Sequence, residues 1–246
     1  MYPILFRAAN MTLYSYSVCM ALALLAGIGW ALWAAPGRDI EQGDVLEGAL
    51  LVLAAAVGGA RLFETLGNWD YFRQSPGEIF RLWQGNFAFQ GGLVAGVVAL
   101  FLYSRWRRLS FWALAGVAAP GTALATAFGW LGALLHGANY GIVSSGALAI
   151  ELPDLYGIAV PRFPTQLAGL AWSLILFAIL ALAWRRGVPA RTLALLWLLL
   201  YAGGMFGLGF TRADETLYFG VLRIAQIFFL AEGMTAGIAL LVLGTQ

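Results

Sequence analysis

His136 is the only histidine in the chain, and it lies in Phe128 to Gly141, FGWLGALLHGANYG, a glycine-punctuated stretch that closes a long apolar run. Imidazole titrates near neutrality, so at this position it can act as a proton acceptor, as a hydrogen-bonded helix end, or as an axial ligand to a haem or chlorophyll metal. Arg61 falls inside another apolar run, where a guanidinium costs about 2.5 to 3.5 kcal/mol at the least favourable depth and must snorkel, pair or line a polar cavity. The single cysteine, Cys19, lies within the first apolar run, which leaves no internal disulfide and no cysteine-based zinc site. Tyr201 to Gly209 holds four glycines in nine residues, a softened helix that tertiary contacts must hold.

The elements that position these groups are set by composition. With 61% hydrophobic residues and 11% charged ones, the 246-residue chain reads as a polytopic, all-α integral membrane protein. All basic residues are arginines, balanced by acids to a net charge of +2, so no basic face points to nucleic acid. Apolar runs at about 16–35, 45–66, 87–104, 111–136, 165–184, 191–210 and 221–244 predict seven transmembrane helices forming one membrane domain. A cleaved signal peptide is the alternative for the first run, whose length is that of a full span. The short connections from Arg105 to Arg108 and from Arg185 to Arg191 concentrate six arginines, which places them in the cytoplasm, the N-terminus outside and the C-terminus inside. The connections on the other side are long, and the first carries Trp69, Tyr71, Phe72, Phe80 and Trp83, side chains that favour the headgroup region. Gly92 with Gly96, and Gly203 with Gly207, repeat the spacing that lets membrane helices approach closely.

Six collinear stretches resemble the prolipoprotein diacylglyceryl transferase family. They are YPILF followed by TLYSYS, GGARLFE around Arg61, PGEIFRLWQGNFAFQGGL, APGTALATAFGWLGALLHGANYG, RFPTQL, and Tyr201 to Arg212 followed by Gln226. The resemblance implies a seven-helix frame in the bacterial inner membrane. It also implies transfer of a diacylglyceryl group from phosphatidylglycerol to a lipoprotein cysteine at the outer leaflet. That reaction needs a thiolate, from a thiol whose ordinary pKa is about 8.5, and donors that hold a departing phosphate.

Much of the family's charged set is replaced. Its histidine is Gln90, and an amide takes no proton at neutral pH. In the signature its arginine is Trp130, its two asparagines are Ala133 and His136, and its glutamate is Ala138. Later, an arginine and a glutamate four residues apart are Met205 and Gly209, and the glutamate near RFPTQL is Gly169. By the resemblance, the residues left to contact lipid are Tyr16, Arg61, Gln90, Tyr140, Gly141, Tyr201 and Arg212, with Arg162 and Gln166 also kept; His136 is the remaining candidate base.

Three functions are consistent with this pattern. The chain is a catalytically degenerate transferase-like protein, kept as a phospholipid-binding or structural subunit of a larger membrane complex. Alternatively it is an active transferase with a rearranged site, or an enzyme acting on another lipid headgroup through Arg61 and Arg212. The expected partners are a membrane phospholipid, phosphatidylglycerol by the resemblance, and other membrane proteins. No cofactor, metal or nucleic acid is called for.

Overall fold

The computed structural model describes residues 3–8, 11–81 and 87–243. Seven long helices dominate: α1 (Ser15–Ala34), α2 (Gln42–Gly67), α4 (Phe89–Arg107), α5 (Phe111–His136), α6 (Thr165–Arg185), α7 (Ala190–Gly209) and α8 (Ile224–Leu243), with a single-turn α3 (Trp69–Phe72) after α2. The apolar runs fall on these helices to within a turn. Tyr2, Trp83 and Gly244 lie outside the described residues, as does part of the aromatic connection before α4. Among the described residues, six helices are long and apolar enough to cross a membrane; α4, bracketed by Gln90, Arg105 and Arg107, falls short of the same apolarity. In hydrocarbon each backbone donor and acceptor must be paired inside its own segment, which is why apolar runs of this length are helical.

The breaks between helices follow from residue type. Pro36 sits in a 3-10 turn after α1, and Asp39 closes that turn in the left-handed region. Pro164 and Pro189 precede the first residues of α6 and α7, where a missing N–H costs nothing.

The chain packs as two compact units, one of 34–115 and the other of 1–33 with 116–246. In the first, α2 lies against α4. A Cβ at Gly59 would come within 2.6 Å of the Gly91 carbonyl oxygen, and one at Gly91 within 2.5 Å of the Gly59 oxygen, so the two backbones meet where side chains are absent. Gly92 and Gly96 lie on the same contact, facing Ala56 and Val52. At one end the Tyr103 hydroxyl donates to the Asp44 carbonyl at 2.8 Å, while Arg107 pairs with Asp44 at 2.6 Å.

In the second unit α5 packs on α1 through Gly27 and Gly121, whose added Cβ atoms would meet each other's carbonyls. Helices α6, α7 and α8 complete it. Gly204 of α7 receives the indole of Trp172, which donates to the Leu200 carbonyl at 3.2 Å. Three antiparallel hairpins add to the helical frame: β1 (Ile4–Ala8) with β2 (Met11–Tyr14), β3 (Ile150–Pro153) with β4 (Ala159–Arg162), and β5 (Tyr218–Phe219) with β6 (Leu222–Arg223). The lead before α1 is the first of these.

Candidate functional site

Arg61 is buried in α2 and does not snorkel. Its Nε donates to the Ile79 carbonyl at 3.0 Å and its Nη2 to the Glu78 carbonyl, and its guanidinium lies 5.1 Å from the centroid of Phe72. The arginine inside the apolar run thus holds the aromatic connection after α3 by its backbone. Phe72 is turned inward by that contact, while Trp69, Tyr71 and Phe80 remain exposed. Gln90, second residue of α4, is half-buried in the same unit.

The remaining candidates belong to the other unit, and the structure gathers them in three places. At the end of α5 the chain turns sharply: Gly137 and Asn139 are both in the left-handed region, with φ of 89° and 53°. A Cβ at Gly137 would lie 2.6 Å from the Asp154 carbonyl oxygen, so this turn requires glycine on two counts. The turn aims Tyr140 and Gly141 at the segment after α7. Gly141 bridges to Arg212, the Ala213 N–H donates to the Tyr140 carbonyl at 2.9 Å, and Arg212 Nη2 donates to Asn139 Oδ1 at 2.8 Å. Arg212 also forms a forked pair with Asp214, at 2.8 and 2.6 Å.

Beside it, Arg162 and Asp154 form a buried ion pair at 2.8 Å, with Arg162 donating to the Gly141 carbonyl and lying 4.9 Å from the centroid of Tyr140. Burial, followed by the nearby Asp154 carboxylate, raises the Tyr140 phenol above its ordinary pKa, so it is a neutral donor in ordinary buffers. Gln166, fully buried, donates to the Ala138 carbonyl at 3.0 Å.

The second place is the α1–α5 contact, where the rings of Tyr16 and His136 stand 5.8 Å apart and His136 Nδ1 is buried without a hydrogen-bond partner among the described residues. The third is the core of this unit. Trp130, Ala133, Tyr201 and Met205 belong to one buried apolar cluster with Leu176, Leu180 and Phe229, and Ala138 packs against it. A Cβ at Gly169 would fall 2.3 Å from the Trp130 ring, and one at Gly209 would fall 2.6 Å from the Gln226 side chain. The ring of Tyr201 is stacked on Trp197 at 5.5 Å.

Several polar residues of this region escaped the sequence reading. Asn139, Asp154, Asp214 and Arg223 form the network that holds Arg162 and Arg212, and the only available signal was the closeness of Asp214 to Arg212 and of Asp154 to Arg162 along the chain. Glu232, in the middle of α8, has a buried Oε2 without a partner among the described residues. An acid eight residues into an apolar run is a readable sign of a polar role.

Six long apolar helices among the described residues make this a multi-pass integral membrane protein. Residues 3–243 match the family of prolipoprotein diacylglyceryl transferases. A phosphatidylglycerol--prolipoprotein diacylglyceryl transferase of Streptococcus mutans serotype c is 31% identical over 231 residues, spanning 91% of this chain and 88% of that protein. One from Parasynechococcus marenigrum is 30% identical over 244 residues, spanning 92% and 87%. One from Lactiplantibacillus plantarum is 29% identical over 233 residues, spanning 91% and 83%. The chain belongs to the prolipoprotein diacylglyceryl transferase family and is a multi-pass protein of the bacterial inner membrane.

Proposed function

We propose that this family member performs no diacylglyceryl transfer and serves as a phospholipid-binding or structural subunit of a larger membrane complex. The packing of Trp130 carries the reading. Its ring occupies the space beside Gly169, inside an apolar cluster that also takes in Ala133 and Met205. By the family resemblance these are positions of an arginine, a glutamate, an asparagine and a second arginine. Thiol activation needs a base or a strong positive field, and phosphate departure needs fixed donors. An apolar cluster of indole, methyl and thioether groups supplies neither.

The arginines that persist support the same reading, because each is engaged by other groups of the protein. Arg61 is spent on two carbonyls, and Arg212 on Asp214 and Asn139. The resemblance assigns Tyr16, Arg61, Gln90, Tyr140, Gly141, Tyr201 and Arg212 to lipid contact; in this reading Tyr16, Gln90, Tyr140 and Gly141 meet the lipid, phosphatidylglycerol, while Arg61, Tyr201 and Arg212 serve the frame through the protein contacts described above.

The decisive experiment gives purified protein phosphatidylglycerol vesicles and a lipobox peptide, beside one of the family's ordinary transferases as control. No diacylglyceryl-peptide mass is expected from this chain. Product accumulating above the protein-free blank would overturn the reading. The alternative, a rearranged active site with His136 as base, draws on the unpartnered His136 Nδ1 beside Tyr16. It predicts turnover that falls by about 10²- to 10⁴-fold in His136→Ala.

A further inference from the structure

Two hairpins in the second unit share one construction, a charged root and an apolar tip. In β3–β4 the buried pair runs from Arg162, opposite Ile150 at the root, to Asp154 at the start of the turn, whose Oδ1 accepts the N–H groups of Tyr156 and Ile158 at 2.9 and 3.0 Å. That fixes the turn, which Gly157 closes with φ of 82°. In β5–β6 the root is Arg223, also buried, which pairs with Asp214 at 3.4 Å, donates to the Arg212 carbonyl at 2.6 Å and lies 5.6 Å from the Tyr218 ring centroid. Gly220 closes this turn with φ of 61°.

Beyond each root the side chains are apolar and bare. Tyr156 is 68% exposed, Phe219 74% and Val221 87%, and Leu155 and Ile158 are exposed with them. Both hairpins lie at the same end of the unit, since the segments beneath them are joined by the Gly141–Arg212 bridge and the Ala213-to-Tyr140 hydrogen bond.

We propose that both tips are seated in the headgroup region of the bilayer leaflet at that end, so that outer hairpins as well as helices anchor the chain to lipid. The tether argues for lipid. Ile224 opens α8 and donates to the Leu217 carbonyl at 3.0 Å, so the β5–β6 loop starts and ends at the mouth of a span. Val221 is three residues from Ile224, a reach of about 10 Å at the rise of an extended chain. The polar layer on each side of the hydrocarbon is about 5 to 8 Å thick, so the tip can reach every depth of that layer and rests within it when the hairpin lies along the membrane surface. Aromatic rings with aliphatic neighbours and no charge are the composition that settles at this depth, whereas the same surface left in water is unfavourable. The placement is independent of whether the chain catalyses transfer.

The test uses single cysteines, Tyr156→Cys and Val221→Cys, in a Cys19→Ala background, labelled with an environment-sensitive fluorophore and reconstituted in phosphatidylcholine–phosphatidylglycerol vesicles. Both tips are exposed, so these two substitutions remove no buried contact. Lipids carrying a nitroxide near the headgroup should quench both labels about threefold, with little effect of aqueous iodide, as for groups buried about 5 to 10 Å into the interface. Quenching by iodide and not by nitroxide lipid would overturn the proposal. Labels open to iodide in vesicles but shielded in native membranes would also overturn it, and would assign the tips to a protein partner instead.

Discussion

Trp130 and Gly169 sit against each other where the family resemblance places an arginine and a glutamate, and the fit is one of volume: an added Cβ at Gly169 would enter the indole. Putting back one partner alone is therefore costly in two different ways. Trp130→Arg leaves a charge unpaired in an apolar cluster, and Gly169→Glu has no room beside the ring. The double variant Trp130→Arg with Gly169→Glu should lose less stability than the two single losses added together, with a coupling of roughly 0.5 to 3 kcal/mol in thermal unfolding in detergent. A coupling near zero would mean that the sites do not share one space. At the Asp154–Arg162 pair the physics runs the other way. Asp154→Asn keeps an oxygen for the turn N–H groups but strands a buried guanidinium, and should cost about 3 to 5 kcal/mol by the same assay. That Trp130, Gly169, Ala133 and Met205 are uncharged was legible in sequence, and the family resemblance alone makes them replacements. The reciprocal fit of Trp130 into Gly169 was not, because nothing in one-dimensional spacing says which helix faces meet.

Glycines that look alike in sequence behave differently once the helices are packed. Gly59 and Gly91 are backbone-to-backbone contacts of α2 and α4, and Gly59→Leu should destabilise the protein by about 1 to 3 kcal/mol. A Cβ at Gly203 or Gly207 meets nothing within 4 Å, so Gly203→Leu and Gly207→Leu should leave stability within about 0.5 kcal/mol of the parent. That contrast makes the α7 pair a clean probe of assembly. If the chain is a complex subunit through this face, the variants fold normally yet migrate without their partners on native gels. The long helices were readable because apolar length is a strong signal. The hairpins were not: β5 and β6 are two residues each, too short for any alternation to register, and β3–β4 is specified by a buried ion pair and a left-handed glycine.

For the molecule as a whole, composition alone identified a membrane protein, and collinear motifs identified its family. Orientation is testable by fusion: a reporter active only outside the cytoplasm should work when joined after Glu151 and fail when joined after Arg186, following the arginine-rich connections. The opposite pattern would invert the topology. On the reading proposed here, the Trp130–Gly169 fit acts over the history of a gene as a ratchet. If the arginine and glutamate that the resemblance places here are to return, either one alone is unpaired or clashes with its neighbour, so each one-step intermediate is a less stable protein facing quality control. Selection for transfer activity on libraries of single mutants should therefore return nothing at these positions, and recovery would require both codons to change in the same molecule.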